Sequence, residues 1–232
     1  RLAETGHRLV CTDDYDHADA EMAECQKPYY TPHLSRQHND FSSANSFWAL
    51  LYQDEAEDPA DRLVGTIGVR VDEIPKSGLA EYWYHHYRRL RDTGFGGDID
   101  RQYEPNAVKS IYGKVAYVGD YFALPKGRVD QHYYMLAAFI YAQIKWSPDF
   151  LYGFVRRAHA EKGQTYRLGF QHHARSVHRW ISCPEHRADD DVMIYNSADD
   201  VRDVVSVMLG ASANNKKTSG KVVQLRGGRA KL

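Results

Sequence analysis

The sequence lacks several features that would assign a class at once. It has no run of about 18 apolar residues, so no membrane-spanning helix is predicted. Its three cysteines are widely spaced, which excludes a disulfide framework and a four-cysteine zinc site. No P-loop, dinucleotide-binding or Gly-x-Ser-x-Gly motif occurs. No charged-then-apolar leader is visible, and we expect a reducing, cytoplasmic protein.

The sequence also lacks an excess of positive or negative charge, since the net charge of the 232 residues is −1. This balance argues against a nucleic-acid-binding protein built on a basic face. The exception is the stretch 210–232, which holds six Lys or Arg and no acid. The apolar fraction of 43% and the charged fraction of 26% are those of an ordinary globular domain.

The pattern of apolar residues predicts a mixed α/β domain. Strands are predicted at 46–53, 63–71, 111–124 and 149–156, with further short ones within 171–181 and 191–195. The first two should form a hairpin, and the third should bend near Gly119.

Helices are predicted after Asp13 or Asp14, over 79–91, from Val129, and over 158–168. Ser197 and Asp200 form a capping pattern before another. The helix from Val129 should follow a strand and lead to a parallel strand, giving a strand–helix–strand core at 111–156. Its predicted apolar face holds Val129, His132, Tyr133, Leu136, Ala137, Ile140 and Ile144.

We expect one domain over 1–209, with a helical insertion at about 75–109 and a basic, flexible tail over 210–232.

Four stretches in this order resemble the GNAT superfamily of acyl-CoA N-acyltransferases: LVGTIGV (63–69), YVGDYFALPKGR (117–128), DFLYGFV (149–155) and YRLGF (166–170). The resemblance covers roughly residues 45–182. It implies a central mixed, largely antiparallel sheet with flanking helices. The segment 119–128 looks like that of acyl-homoserine lactone synthases and N-acyl amino acid synthases, which often lack the family's glycine run. The acidic and Trp motifs of the lactone synthases are not evident.

The resemblance implies that a pantetheine donor lies along the end of the 111–124 strand and at the start of the next helix. Backbone N–H groups at such a helix start hold phosphate. The usual glycines are replaced here and Asp130 adds a negative charge, so a CoA pyrophosphate is disfavoured relative to the single phosphate of a carrier-bound pantetheine. The implied donor-binding residues are Phe122, Ala123, Leu124, Lys126, Gly127, Arg128 and Val129.

Two residues are candidates for proton transfer. Asp120, near the expected bend, could deprotonate an amine, or it could be a polar residue at a bulge. In the family, a Tyr that acts as general acid stands at the position that Thr165 occupies here. Tyr166 is one residue later, so its side chain could face away from the site. Arg156, after the 149–155 strand, could bind a carboxylate or phosphate, with a solvated strand end as the alternative.

The insertion offers Tyr82 and Trp83 as a wall of a substrate pocket. A dimer surface or a packing helix fits the same pattern. Adjacent residues point apart, so the pairs His85-His86 and His172-His173 are poor chelators, and we expect no metal.

The sequence thus predicts a bacterial-type acyltransferase that moves an acyl group from acyl-CoA or acyl carrier protein to a small-molecule amine, with longer acyl groups preferred to acetyl. A homodimer is possible in this interpretation. The alternative is a non-catalytic GNAT-like regulatory or interaction module that has lost the donor site. Nucleic-acid binding is expected, if at all, through the basic tail.

Overall fold

The computed structural model describes residues 2–25, 27, 30–54, 62–93, 95–124, 129–185 and 187–218. These form a seven-stranded sheet in the order β1-β2-β3-β5-β6-β9-β7, plus a two-stranded sheet of β4 and β8. The β5–β6 pair is parallel, and the other pairs within the described residues are antiparallel. This arrangement confirms the predicted fold class.

The strands are β1 (His7–Thr12), β2 (Ser46–Gln53), β3 (Leu63–Ile74), β4 (Asp98–Ile99), β5 (Gly113–Ala123), β6 (Phe150–Val155), β7 (His172–Ala174), β8 (Trp180–Ser182) and β9 (Val192–Ser197). The helices are α1 (Tyr15–Glu24), α2 (Leu79–Arg89), α3 (Asn106–Lys109), α4 (Gln131–Trp146), α5 (Arg157–Glu161), α6 (Gln164–Arg167) and α7 (Ala198–Thr218). Short 3₁₀ turns occur at Ala3–Thr5, Pro32–Leu34 and Arg91–Thr93.

Two predicted helix starts are confirmed by their capping contacts. The Asp14 carboxylate accepts a hydrogen bond from the backbone N–H of His17 at 3.0 Å, which begins α1. Ser197 and Asp200 bond reciprocally before α7, as the capping pattern predicted. Helix α7 extends to Thr218, so the predicted domain limit at residue 209 falls inside it, and the stretch 219–232 lies outside the described residues.

The sheet has two covered faces. Helices α1 and α2 cover the first, here the α1/α2 face, which includes the buried rings of Trp48, Trp83, Tyr87, Tyr117 and Tyr152. Helices α4 and α7 cover the second, the α4/α7 face. It includes Val64, Ile67, Val69, Phe139 and Leu151.

The predicted apolar face of α4 was only partly right, since Leu136 on that face is buried. The helix also buries Tyr134, Met135, Ala138, Phe139 and Ala142, whereas Ile144 on the predicted face is 78% exposed. Apolar residues occur all around this helix, so its period does not select one side.

Candidate functional site

Strands β5 and β6 are paired along only part of their length. The parallel ladder runs from Val115↔Phe150 to Tyr117↔Tyr152. The residues that follow on β5 pair with β3, and those that follow on β6 pair with β9. The facing edges of β5 and β6 beyond this ladder therefore have backbone groups available to a ligand.

A β-bulge shapes β5 where this gap begins. Gly119 pairs with Gly68 and Phe122 with Thr66, so two residues of β5 stand opposite Ile67 alone. One of the two, Asp120, has a positive φ of 52°, which aspartate tolerates better than most residues. The bend predicted near Gly119 is thus confirmed as a bulge.

The two strands approach each other closely beside Gly153. A Cβ on this residue would lie 2.5 Å from the carbonyl oxygen of Val118. Glycine therefore lets the β5 backbone approach β6 at the point where their ladder ends.

A cavity of about 310 Å³ occupies the gap. Residues from both faces of the sheet line it: Tyr117 and Phe154 belong to the α1/α2 face, and Val118, Val155 and Met135 to the α4/α7 face. The cavity thus connects the two faces through the gap. Its polar lining includes Thr31, Asp120, Tyr121, Arg156, His159, Gln164, Arg187 and Asp191.

Asp120 lies at this cavity, but its carboxylate is already engaged. Both oxygens accept the backbone N–H of Thr31 at 3.0 Å, and Lys27 Nζ is 3.8 Å from Oδ1. Burial raises the pKa of the Asp120 carboxyl, an effect that the Lys27 ammonium and the Thr31 hydrogen bonds oppose. These contacts hold the segment before β2 against the bulge. The role of Asp120 as a base stays a prediction.

A charged cluster lies at the cavity on the side of the α1/α2 face. The Arg187 guanidinium packs 3.8 Å from the ring centre of Phe154, and its Nε donates to the Tyr87 hydroxyl at 3.2 Å. Arg187 Nη1 is 3.5 Å from Asp191 Oδ2, and Arg156 Nη1 is 3.7 Å from Asp191 Oδ1. The side chains of Arg187 and Asp191 are buried, and two cations face one carboxylate.

One hydroxyl group in the lining also matters for the site. The Tyr121 hydroxyl is buried and makes no hydrogen bond to the described residues. Burial, with a contribution from Asp130, raises the pKa of Tyr121, so this phenol is protonated at neutral pH.

The free backbone N–H groups at the start of α4 are capped by the side chain of Asp130. The helix begins at Gln131, not at Val129 as predicted, and Asp130 is its N-cap. Asp130 Oδ1 accepts the backbone N–H groups of His132 at 3.1 Å and Tyr133 at 3.3 Å. A carboxylate thus occupies the position where a phosphate would otherwise bind.

Of the predicted site residues, the structure brings Asp120 and Arg156 to the cavity. Phe122, Ala123 and Leu124 continue β5 beyond the bulge, with the Leu124 N–H bonded to the Val64 carbonyl. Val129 packs partly on the α4/α7 face. Lys126, Gly127 and Arg128 lie outside the described residues.

Three predicted residues lie elsewhere. Tyr166 is 64% exposed, in a groove beside α7. Trp83 is fully buried, and its indole N–H donates to the Tyr152 hydroxyl at 3.2 Å, so its contacts are those of the packing alternative. Tyr82 accepts a hydrogen bond from Arg70 at a separate cleft.

Sequence reasoning missed Arg187, Asp191 and Tyr121. Arg187 and Asp191 stand in a polar stretch before β9 with no periodic pattern. Arg187 bonds Tyr87, a hundred positions earlier, so no local signal could have found it. Tyr121 stands next to the bulge residue Asp120, a position that could have directed attention to it.

Two searches of the described residues concern ligands and membranes. No group of three His, Cys, Asp or Glu residues in this part of the chain is placed to hold a metal ion. None of the described helices is long and apolar enough to cross a bilayer.

No protein-family model and no curated protein matches the chain. Among solved structures, it is similar to FeeM, an N-acyl amino acid synthase from uncultured soil microbes, at 12% identity and a TM-score of 0.45, over 85% of this chain and 93% of that one. It is similar to Arabidopsis thaliana NAA60 in complex with acetyl-CoA at 9% identity and a TM-score of 0.48, over 82% and 98% of the two chains. It is also similar to the Campylobacter jejuni N-acetyltransferase PseH at 13% identity and a TM-score of 0.40, over 83% and 98%.

Proposed function

We propose that this protein is an N-acyltransferase that moves an acyl group from a pantetheine thioester to an amine. The observation that carries the proposal is the gap between β5 and β6, where unpaired strand edges border a cavity that connects both faces of the sheet. A thioester can enter along the strand edges from one face while an amine meets it from the other.

The reaction needs no co-reactant besides the acyl donor and the amine acceptor. The amine nitrogen attacks the thioester carbon, a C–N bond forms and the C–S bond breaks. The amine loses a proton, and the departing thiolate gains one.

Tyr121 is our candidate for the proton donor. Its hydroxyl is buried at the cavity, its ring packs on the α4/α7 face, and its raised pKa keeps it protonated. Tyr166, which the resemblance indicated, is exposed and outside the cavity. The variants Tyr121→Phe and Tyr166→Phe form a matched pair, since each removes one hydroxyl. We expect Tyr121→Phe to lower kcat by about 10²–10⁴-fold with donor affinity unchanged, and Tyr166→Phe to have little effect.

We propose that the donor is carrier-bound or another singly phosphorylated pantetheine in preference to CoA. Asp130 supports this, because its carboxylate caps α4 and would repel a pyrophosphate. The preference for long acyl chains rested on the insertion as an apolar wall. Trp83 lies in the core instead, so that support is gone, and acyl length becomes a variable of the experiment.

The test uses the full chain with acetyl-CoA, dodecanoyl-CoA and dodecanoyl acyl carrier protein, each with a panel of amines. Thiol release is measured with and without amine. Amine-dependent release with any donor supports the proposal, and binding of no donor would favour the non-catalytic module.

The predicted donor-binding residues Lys126 and Arg128 have a test of their own. Lys126→Glu with Arg128→Glu should abolish donor binding, whereas Arg62→Glu with Lys76→Glu makes the same charge change at exposed positions outside the cavity lining. Equal donor affinity in both double variants would contradict the assignment of Lys126 and Arg128 to the donor.

A further inference from the structure

The carboxylate of Asp120 is engaged with the chain segment that precedes β2. Its side chain is 3% exposed, and both oxygens accept the backbone N–H of Thr31 at 3.0 Å. Lys27, whose side chain is 5% exposed, places Nζ 3.8 Å from Oδ1. The two buried charges hold each other in place, because either one alone would be costly at this depth.

The bulge in β5 sets the direction of this carboxylate. Asp120 has a φ of 52°, and its own carbonyl oxygen accepts a hydrogen bond from the Thr66 hydroxyl at 3.1 Å. The residues on either side, Gly119 and Phe122, stay paired with β3. Bulges commonly re-aim a side chain beside a functional site. Here the bulge turns the carboxylate toward the segment 30–34, which we call the strap.

The far end of the strap is fixed separately, on β3. A Cβ on Gly68 would lie 2.6 Å from Leu34 Cδ1, so the strap packs directly on the β3 backbone. The His33 carbonyl accepts a hydrogen bond from Arg70 Nη1 at 3.1 Å. Of the strap residues, Thr31 is the one that lines the cavity between β5 and β6. The position of this cavity wall therefore depends on the carboxylate at the bulge.

We propose that Asp120 is a positioning residue: paired with Lys27, its carboxylate holds the strap so that Thr31 forms a wall of the cavity in which the substrates bind. This inference rests on the proposed function, and it gives Asp120 a role different from removal of the amine proton. The two roles make opposite demands on Lys27. A nearby cation makes a carboxylate less basic, so a base would not lose by its removal, whereas a positioning carboxylate needs the ammonium.

The first experiment is a double-mutant cycle on the full chain, with a donor and an amine of the panel that react. Asp120→Asn keeps an oxygen for the Thr31 N–H but loses the charge, and Lys27→Met replaces the cation with an apolar side chain. We expect each single variant to raise KM by about tenfold or more, since each leaves one buried charge without its partner. The double variant removes both charges, so its KM should return toward that of the parent and its kcat should stay within about tenfold of the parent.

The double variant separates positioning from proton transfer. It has no carboxylate at position 120, so loss of a catalytic base would leave its kcat about 10²–10⁴-fold below that of the parent. That result would overturn the inference, as would a parental KM in Lys27→Met. Should a single variant fail to fold, the double variant still decides, because it contains neither buried charge.

Arg8 and Asp54 provide the matched control pair. Arg8 Nε is 3.1 Å from Asp54 Oδ1, the two side chains are 57% and 54% exposed, and neither lines the cavity. Exposed ion pairs contribute little to stability. Arg8→Met, Asp54→Asn and their combination should therefore leave KM and kcat at the parental values.

A second experiment needs no turnover. Amide hydrogen exchange at Thr31, followed by NMR, reports whether the strap is held against the bulge. We expect this exchange to be at least about tenfold faster in Lys27→Met than in the parent and slower again in the double variant. Equal exchange in the parent and Lys27→Met would overturn the inference. Faster exchange in a protein that releases thiol from no donor would refute the proposed function while supporting the role of Asp120 in holding the strap.

Discussion

The two faces of the central sheet are covered by cores of different chemistry. The α4/α7 face is built from aliphatic side chains with a few aromatic rings, and Phe139 and Ile67 in it are fully buried. The α1/α2 face stacks rings, and buried polar groups stand among them: His86, His178 and Arg187. The imidazole Nε2 atoms of these two histidines have no hydrogen-bond partner among the described residues.

The difference indicates that the two faces have different roles: one mainly stabilises the fold, and the other holds the buried polar groups of the candidate site. Close packing of apolar groups stabilises a fold without special polar geometry. Buried polar groups that lack partners destabilise it, and they are kept where a ligand uses them or where they shape a pocket. The gap between β5 and β6 joins these two environments, and the cavity lies there.

The largest expected effect comes from the α4/α7 face. Phe139→Ala removes a fully buried ring that packs on Phe170 with centroids 4.9 Å apart. We expect the free energy of unfolding to fall by about 3–5 kcal/mol, measured by urea denaturation. Ile144→Ala, on the same helix but 78% exposed, should stay within about 0.5 kcal/mol of the parent. A loss below 1 kcal/mol for Phe139→Ala would show that this face is not the stabilising core.

The next effect should come from disturbing the gap between β5 and β6. Gly153→Ala places a Cβ 2.5 Å from the Val118 carbonyl oxygen, so β5 and β6 must move apart. We expect a loss of about 1–3 kcal/mol in stability together with weaker binding of donor and acceptor. Gly210→Ala is the control, because nothing lies within 4 Å of its new Cβ in α7. Unchanged binding in Gly153→Ala would separate the gap from function.

The third effect concerns the α1/α2 face, which should make the free energy of unfolding depend on pH. Burial, helped by the charges of Arg70, Arg89 and Arg187, lowers the pKa of His86 from 6.5 to about 3. Between these values the unfolded chain binds a proton that the folded chain does not. The contribution of His86 is therefore fully present above pH 6.5 and is lost as the pH falls. At pH 5 the loss from His86 amounts to about 2 kcal/mol.

His86→Phe isolates this contribution, because it keeps a ring beside His33 and Tyr82 while removing the titration. Urea denaturation at pH 7.5 and pH 5 should show a smaller drop for the variant than for the parent. The same drop in both proteins would contradict a neutral, buried His86. His178, whose pKa burial also lowers, remains in both proteins and cancels in the comparison.

The local pattern of apolar residues in the sequence predicted most of the helices and strands but few of the contacts at the candidate site. Strand β2 was predicted with its observed ends, and α2 was predicted within two residues, because apolar period is strong there. Strand β1 was missed, because only His7 in it is buried, so no alternation marks it and its pairing with β2 defines it. Asp120 was found through its strand, whereas Arg187 is placed by contacts with Tyr87, Phe154 and Asp191 from distant or unpatterned segments.

The smallest expected effect sharpens the comparison at the start of α4, on the α4/α7 face, where we propose that the donor phosphate binds. Asp130→Asn keeps an oxygen that can cap α4, and asparagine is as good an N-cap as aspartate. The charge in the first turn is lost, which costs about 0.3–1 kcal/mol of stability through the helix dipole. The same loss removes the repulsion of a donor phosphate, so affinity for CoA should rise a few-fold, and more than affinity for phosphopantetheine, since CoA carries more negative charge. Isothermal titration of both ligands against the parent and the variant measures this difference. Asp14→Asn, the equivalent change at the cap of α1, is the control and should alter neither affinity. An unchanged ratio of the two affinities would show that the start of α4 does not face the donor phosphate.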